Sequence, residues 1–136
     1  MHSPLQAVNA PSAQAPGDRH TLYVFVRTDI SPAQQMVQAA HAAAEAGRKF
    51  YRAEHGVASL IVLAVPSTGH LLAAAERLRA IGLEHTLFVE PDFGMGPSAL
   101  GTRALTDTER RHLRSWPLWT PPRSSATPIA HSREAA

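Results

Sequence analysis

Apolar residues cluster in strand-length runs that alternate with segments of helical period, and this alternation predicts an α/β fold. Residues 20–26 are almost continuously apolar, as in a strand buried on both faces. Ser31-Pro32-Ala33-Gln34 then reads as a helix start, with Ser at the N-cap, Pro at the first helical position and Gln where a capping box would have it. The first helix is expected from Pro32 to about Ala53. Within it Gln34, Gln38, His41, Glu45, Arg48 and Arg52 recur at alternating spacings of four and three, so they share one stripe. The opposite stripe, Val37, Ala40, Ala44, Gly47 and Tyr51, is apolar and mostly small, and is expected to lie close against a sheet.

A second apolar run at 57–65 ends at Pro66-Ser67, which start another helix. Its apolar face is Leu71, Ala74, Ala75, Leu78 and Ile81, and Gly82 closes it. Residues 83–90 read as a third strand, parallel to the second through a right-handed crossover. Gly and Pro punctuate a loop at 91–97. A short, weak fourth strand follows at 98–105, then a helix capped by Thr106 or Asp107 and running through Ser115. Trp116-Pro117-Leu118-Trp119 is expected to pack back on the domain. The predicted fold is a single three-layer α/β sandwich with a mixed sheet of about four strands, in the order β-α-β-α-β-β-α. It spans 19–119, between disordered extensions at 1–18 and 120–136 that are rich in small and polar residues.

Composition narrows the chemistry. With 136 residues and no repeat, one core is the simplest reading. The absence of cysteine excludes disulfides, thiolate nucleophiles and cysteine-based zinc sites. No apolar run approaches the ~20 residues that span a bilayer, and no signal-peptide pattern opens the chain, so a cytoplasmic protein is expected. The formal net charge is only +2, and the excess lies in residues 103–136, which carry six Arg against three acids. That pattern favours a local basic edge or a solubilising tail over a globally basic surface.

Three patterns, in this order, resemble the archaeal and eukaryotic type 2 family of peptidyl-tRNA hydrolases. The first is Val26-Arg27-Thr28-Asp29-Ile30 at the end of the first strand, similar to that family's Arg-x-Asp-Leu. The second is Gln34-Gln35-Met36-Val37-Gln38-Ala39-Ala40-His41-Ala42, similar to its Lys-x-Ala-Ala-Gln-x-x-His-Ala helix start. The third is Glu90-Pro91-Asp92 followed by Ser98-Ala99-Leu100-Gly101, where the family has Asp-Ala-Gly and then Thr-x-Leu-Gly. Gln34 stands at the family's lysine position and Ser98 where threonine is usual. The resemblance implies hydrolysis of the ester of peptidyl-tRNA, with tRNA as partner, no cofactor, no membrane, and a homodimer left open.

Such a reaction needs an oriented water, a proton acceptor and donors for an oxyanion. His41 is the candidate base, since His is the side chain that ordinarily titrates near neutrality. Glu90 and Asp92 are candidates to orient it or accept a proton, and Ser98 to hold water or the carbonyl. Arg27, Gln34, Gln38, Arg48 and Arg103 are the candidate substrate and RNA contacts. Plainer roles stand beside these: Gln34 can complete a capping box with Ser31, Asp29 can stabilise its own turn, and Arg48, Lys49 and Arg52 can be a solvated helix face. His55, His70, His85 and His112 have no ligand spacing, so no metal site is expected. Two other functions remain open, a non-catalytic tRNA or RNA binder that kept the fold, and a protein-interaction module.

Overall fold

The computed structural model describes residues 20–123. Strands β1 (Thr21–Arg27), β2 (Ser59–Val65), β3 (His85–Glu90) and β4 (Gly96–Thr102) form one sheet in the order β2-β1-β4-β3. Helix α1 (Pro32–Phe50) joins β1 to β2, α2 (Thr68–Ala80) joins β2 to β3, and a short α3 (Asp107–Arg110) follows β4. The element order is the one expected, and so is the α/β class with a mixed sheet. β1 runs parallel to β2 and antiparallel to β4, and β3 is antiparallel to β4. Strands β1, β2 and β3 therefore share a direction, and their carboxyl ends lie on one edge of the sheet. β2 and β3 occupy opposite edges of the sheet, so α2 spans β1 and β4 instead of linking neighbours.

Alternation along β1 divides the core in two. Tyr23 and Phe25 join Leu63, Val65, Leu71, Leu78, Leu100 and Leu105 on the α2 side, whereas Val24 and Val26 join Ala42 and Ala99 on the α1 side. The second helix ends as a Schellman motif. Gly82 adopts φ 75°, its N–H bonds the Arg79 carbonyl at 3.1 Å, and the Leu83 N–H bonds that of Leu78 at 2.9 Å. At the other sheet edge, residues 117–119 lie along β2 and cover it, with Ala64 N–H to Pro117 O at 2.9 Å and Trp119 N–H to Val62 O at 2.8 Å. Trp116 meets Phe25 edge to face at 5.0 Å, so the expected return of the Trp116–Trp119 segment is present.

Three expectations need correction. The inward stripe of α1 is Gln35, Gln38, Ala42 and Ala46, while Val37 is 45% and Tyr51 72% exposed. The sheet beneath explains the rotation. A Cβ built on Gly101 would lie 2.7 Å from both the Ala42 carbonyl oxygen and the Ala46 Cβ, so only the smallest aligned residues fit there. Second, β4 is no weak appendage but a central strand paired on both sides, and its small residues are the floor on which α1 rests. Third, α1 stops at Phe50, before a 3-10 turn at Ala53–His55, and the last helix reaches only Arg110 before a second such turn at Arg111–Leu113. Of the expected terminal extensions, residues 120–123 are described and the remainder of both lies outside the described residues. No described helix is long and apolar enough to cross a membrane.

Gly101→Ala is expected to lower stability by about 1–3 kcal/mol, because the new methyl meets a helix carbonyl that cannot swing aside. Chemical denaturation at constant m-value would measure it.

Candidate functional site at the carboxyl edge of the sheet

Gln38 is the centre of the site. It projects from the second turn of α1 over the ends of β3 and β4 and is fully buried. Its Nε2 donates to Glu90 Oε2 at 2.9 Å and to Gln34 Oε1 at 3.1 Å, and its Oε1 accepts from Ser98 Oγ at 2.6 Å. Both amide hydrogens and the carbonyl are thereby used. Ser98 reaches the helix because β3 and β4 slip register between Phe88 and Val89, where Phe88 pairs Ala99 and Val89 pairs Pro97. This bulge leaves Ser98 unpaired and turns it toward α1 beside Ala99. Glu90 is also buried, and its Oε1 accepts from the Asp92 N–H at 3.2 Å, which fixes the start of the loop.

The other end of that loop is held by Arg27. Its guanidinium donates twice to the Asp29 carboxylate, both at 2.9 Å, and to the carbonyls of Met95 at 2.9 Å and Pro97 at 3.1 Å. Four of its five N–H donors are thus committed inside the protein. The hydrogen bond from Arg27 holds the Asp29 carboxyl below its ordinary value. Arg27 therefore fastens β1 to the β3–β4 loop, and Asp29 serves that clamp.

His41 does not hydrogen-bond to either acid. Its exposed ring stacks on Phe88, with centroids 4.4 Å apart and planes 7° from parallel. Phe88 and Glu90 share a face of β3, so the imidazole sits one strand repeat, about 7 Å, along from the Glu90 position. Both Glu90 oxygens are taken by Gln38 and the Asp92 N–H, which is why the expected pairing with His41 does not form. Asp92 is exposed, and its carboxylate has no hydrogen bond or ion pair among the described residues. Gln34 is half-buried. Ser31 Oγ caps its backbone N–H at 3.2 Å, but its side chain turns to Gln38 and the capping box is only half made.

The remaining candidates lie elsewhere. Arg48 pairs with Glu45 on the exposed face of α1 at 2.9 Å. Arg103, past the far end of β4, is bound bidentately by Glu109, at 3.0 Å and 2.6 Å. That hydrogen bond pulls the Glu109 carboxyl down from 4.5 to about 2. Glu109 also closes a capping box with Thr106. The predicted RNA-contact set is thus divided between two ends of the molecule. Two concavities flank it, a mostly apolar groove of about 580 Å3 lined by Val26, Met36, Ala39, Val62, Trp119 and Pro121, and a polar one of about 450 Å3 that includes Lys49, Arg52 and Arg103. Neither is lined by His41, Glu90 or Asp92. Among the described residues no group of three or more His, Asp or Glu could hold a metal ion.

Sequence reasoning missed Gln35, whose Nε2 donates to the Ile30 carbonyl at 2.9 Å and whose Oε1 accepts from Trp119 Nε1 at 2.8 Å. The signal was its spacing of three from Gln38 and seven from Ala42, which places it on the inward row.

Ser98→Ala is expected to cost about 1–3 kcal/mol, since it strands the buried Gln38 carbonyl, and Ser98→Thr to cost less if the hydroxyl is kept. Urea denaturation of both variants tests it. The Glu109 contribution to stability is full above its ordinary 4.5 and is lost as pH falls toward about 2, because the folded-state value is the depressed one. Glu109→Gln should reduce the dependence of stability on pH in that window and leave it unchanged above. A scan against protein-family models finds no match for this chain, and a search of curated proteins finds none either.

Proposed function

We propose that this chain hydrolyses the ester joining a peptide to the ribose of a tRNA 3′ end. One observation carries the reading: two of the three patterns that resemble type 2 peptidyl-tRNA hydrolases, 34–42 and 90–92 with 98–101, are hydrogen-bonded to one another through Gln38. Residues 52 and 60 positions apart meet there in a buried polar knot, and such a knot is costly to build unless every member is satisfied.

The knot is a frame, since Gln38 and Ser98 are closed to solvent, and the reacting groups are those it presents. Gln34 has its carbonyl oxygen tied to Gln38, which leaves its amide NH2 to donate to the ester carbonyl. His41 and Asp92 are exposed proton acceptors on the α1 side of this edge. Water attacks the ester carbon, its proton passes to one of them, and that proton returns to the ribose oxygen as the carbon–oxygen bond breaks. Gln34 in the lysine position supplies a dipole in place of a full charge.

A second reading has its own observation. His41 rests against Phe88 without a hydrogen bond to Glu90 or Asp92, and Ser98 is sealed in, as expected of a non-catalytic RNA binder that kept the fold.

Purified protein should release tRNA from an N-blocked aminoacyl-tRNA, and His41→Ala should slow that release at least tenfold while the exposed site leaves the fold intact. Binding that weakens steeply with salt, without turnover at high protein concentration, would instead establish the binder.

A further inference from the structure

We propose that Phe93 is a stacking platform for an unpaired nucleobase of the ligand at this edge, an inference that rests on the reading above. Phe93 is 80% exposed and has φ 61°, the one positive φ outside glycine among the described residues. Gly94 follows at φ 60°, and the Met95 N–H bonds the Asp92 carbonyl at 3.2 Å. Two successive left-handed residues closed by that bond are the pattern of a type I′ hairpin turn, whose first central position asks for Asn, Asp or Gly. A bulky ring there is strained. It recovers nothing by burial.

The strained ring is nonetheless held in place. Arg27 grips the carbonyls of Met95 and Pro97 behind the turn, and Glu90 grips the Asp92 N–H in front of it. A fixed backbone therefore presents an aromatic face to solvent one residue after Asp92. The neighbouring charges select the occupant. Glu90 and Asp92 repel a phosphate, so the part of an anionic ligand that lands on Phe93 is a flat, uncharged one. On a single-stranded nucleic acid that group is a base, and base–aromatic stacking tolerates any sequence because every base has a π-face. A base stacked on that ring lies beside Asp92, at the start of the same turn.

The test compares Phe93→Asn and Phe93→Trp with the unmodified full chain. Asn suits the turn, so it should raise the thermal midpoint while weakening a fluorescein-labelled single-stranded RNA with an unpaired 3′ adenosine by about tenfold in anisotropy titrations. Trp should bind as tightly as Phe or more so. On N-blocked aminoacyl-tRNA, Phe93→Asn should raise KM several-fold and leave kcat nearly unchanged. Unaltered RNA binding by Phe93→Asn, no RNA binding by the unmodified chain, or a lowered thermal midpoint would each overturn the platform. Loss of self-association in Phe93→Asn with RNA binding unchanged would overturn it as well, and would assign the ring to a second copy. RNA binding that depends on Phe93 with no hydrolysis by the unmodified chain would support the platform and overturn only the hydrolase reading.

Discussion

The close approach of α1 to β4 at Gly101 is the constraint on which the rest depends. Where a Cβ would stand 2.7 Å from the Ala42 carbonyl oxygen, the helix backbone itself becomes the neighbour of the strand. At an ordinary helix–sheet separation a side chain from each layer fills the gap. Here the strand contributes none and the helix only the Ala46 methyl, and the first turns of α1 are drawn down over the end of β3 and the start of β4. A glutamine amide is short, and it reaches Glu90 and Ser98 together only because the helix lies this low.

That geometry gives Gln38 an unusual energetic position. Its three hydrogen bonds individually contribute about 1 kcal/mol each in net terms, yet each missing partner would leave a buried group desolvated at a larger cost. The knot therefore specifies more than it stabilises. It fixes the register of the bulge at Ser98, the rotation of α1 and the first residue of the β3–β4 loop, and Arg27 fixes the last. A site framed in this way holds the half-buried Gln34 and the exposed His41, Asp92 and Phe93 on a backbone with little freedom.

Much of this was legible in the sequence, and the remainder fails for a physical reason. Strand runs, both helix starts, the Gly82 stop and the Thr106 cap depend on local chemistry, so they could be read directly. The inward face of α1 could not, because the reading assumed that polar residues face water. Gln35 and Gln38 point inward instead, where Ile30, Trp119, Glu90 and Ser98 satisfy them, and Val37 and Tyr51 are displaced outward. The importance of β4 was hidden for a related reason. Its Gly, Pro, Ser and Ala look like a poor strand when read alone, and become the right strand only under a helix with no room to spare. Of the candidate site, Gln34, Gln38, Glu90 and Ser98 were found together because they lie in recognisable segments, whereas Phe93 carried no motif.

Charge placement limits how this edge can hold an anionic polymer. Arg27, Arg48, Arg79, Arg103 and Arg110 are each ion-paired with a carboxylate of the same chain, and a paired guanidinium attracts a phosphate less because its partner offsets it. Near the knot the unpaired charges are acidic. Electrostatic attraction to a phosphate backbone is therefore weak beside the knot, and stronger toward cations without a carboxylate partner, among them Lys49 and Arg52 toward and just past the far end of α1. Arg52 lies fourteen positions after Gln38, and the helical part of that interval spans about 18 Å. A nucleic-acid ligand held at both ends must cross that distance, with its phosphates toward the C-terminal end of the helix and its uncharged terminal group at the acidic one. For the proposed ligand, orientation then follows from the separation of charge along a single helix.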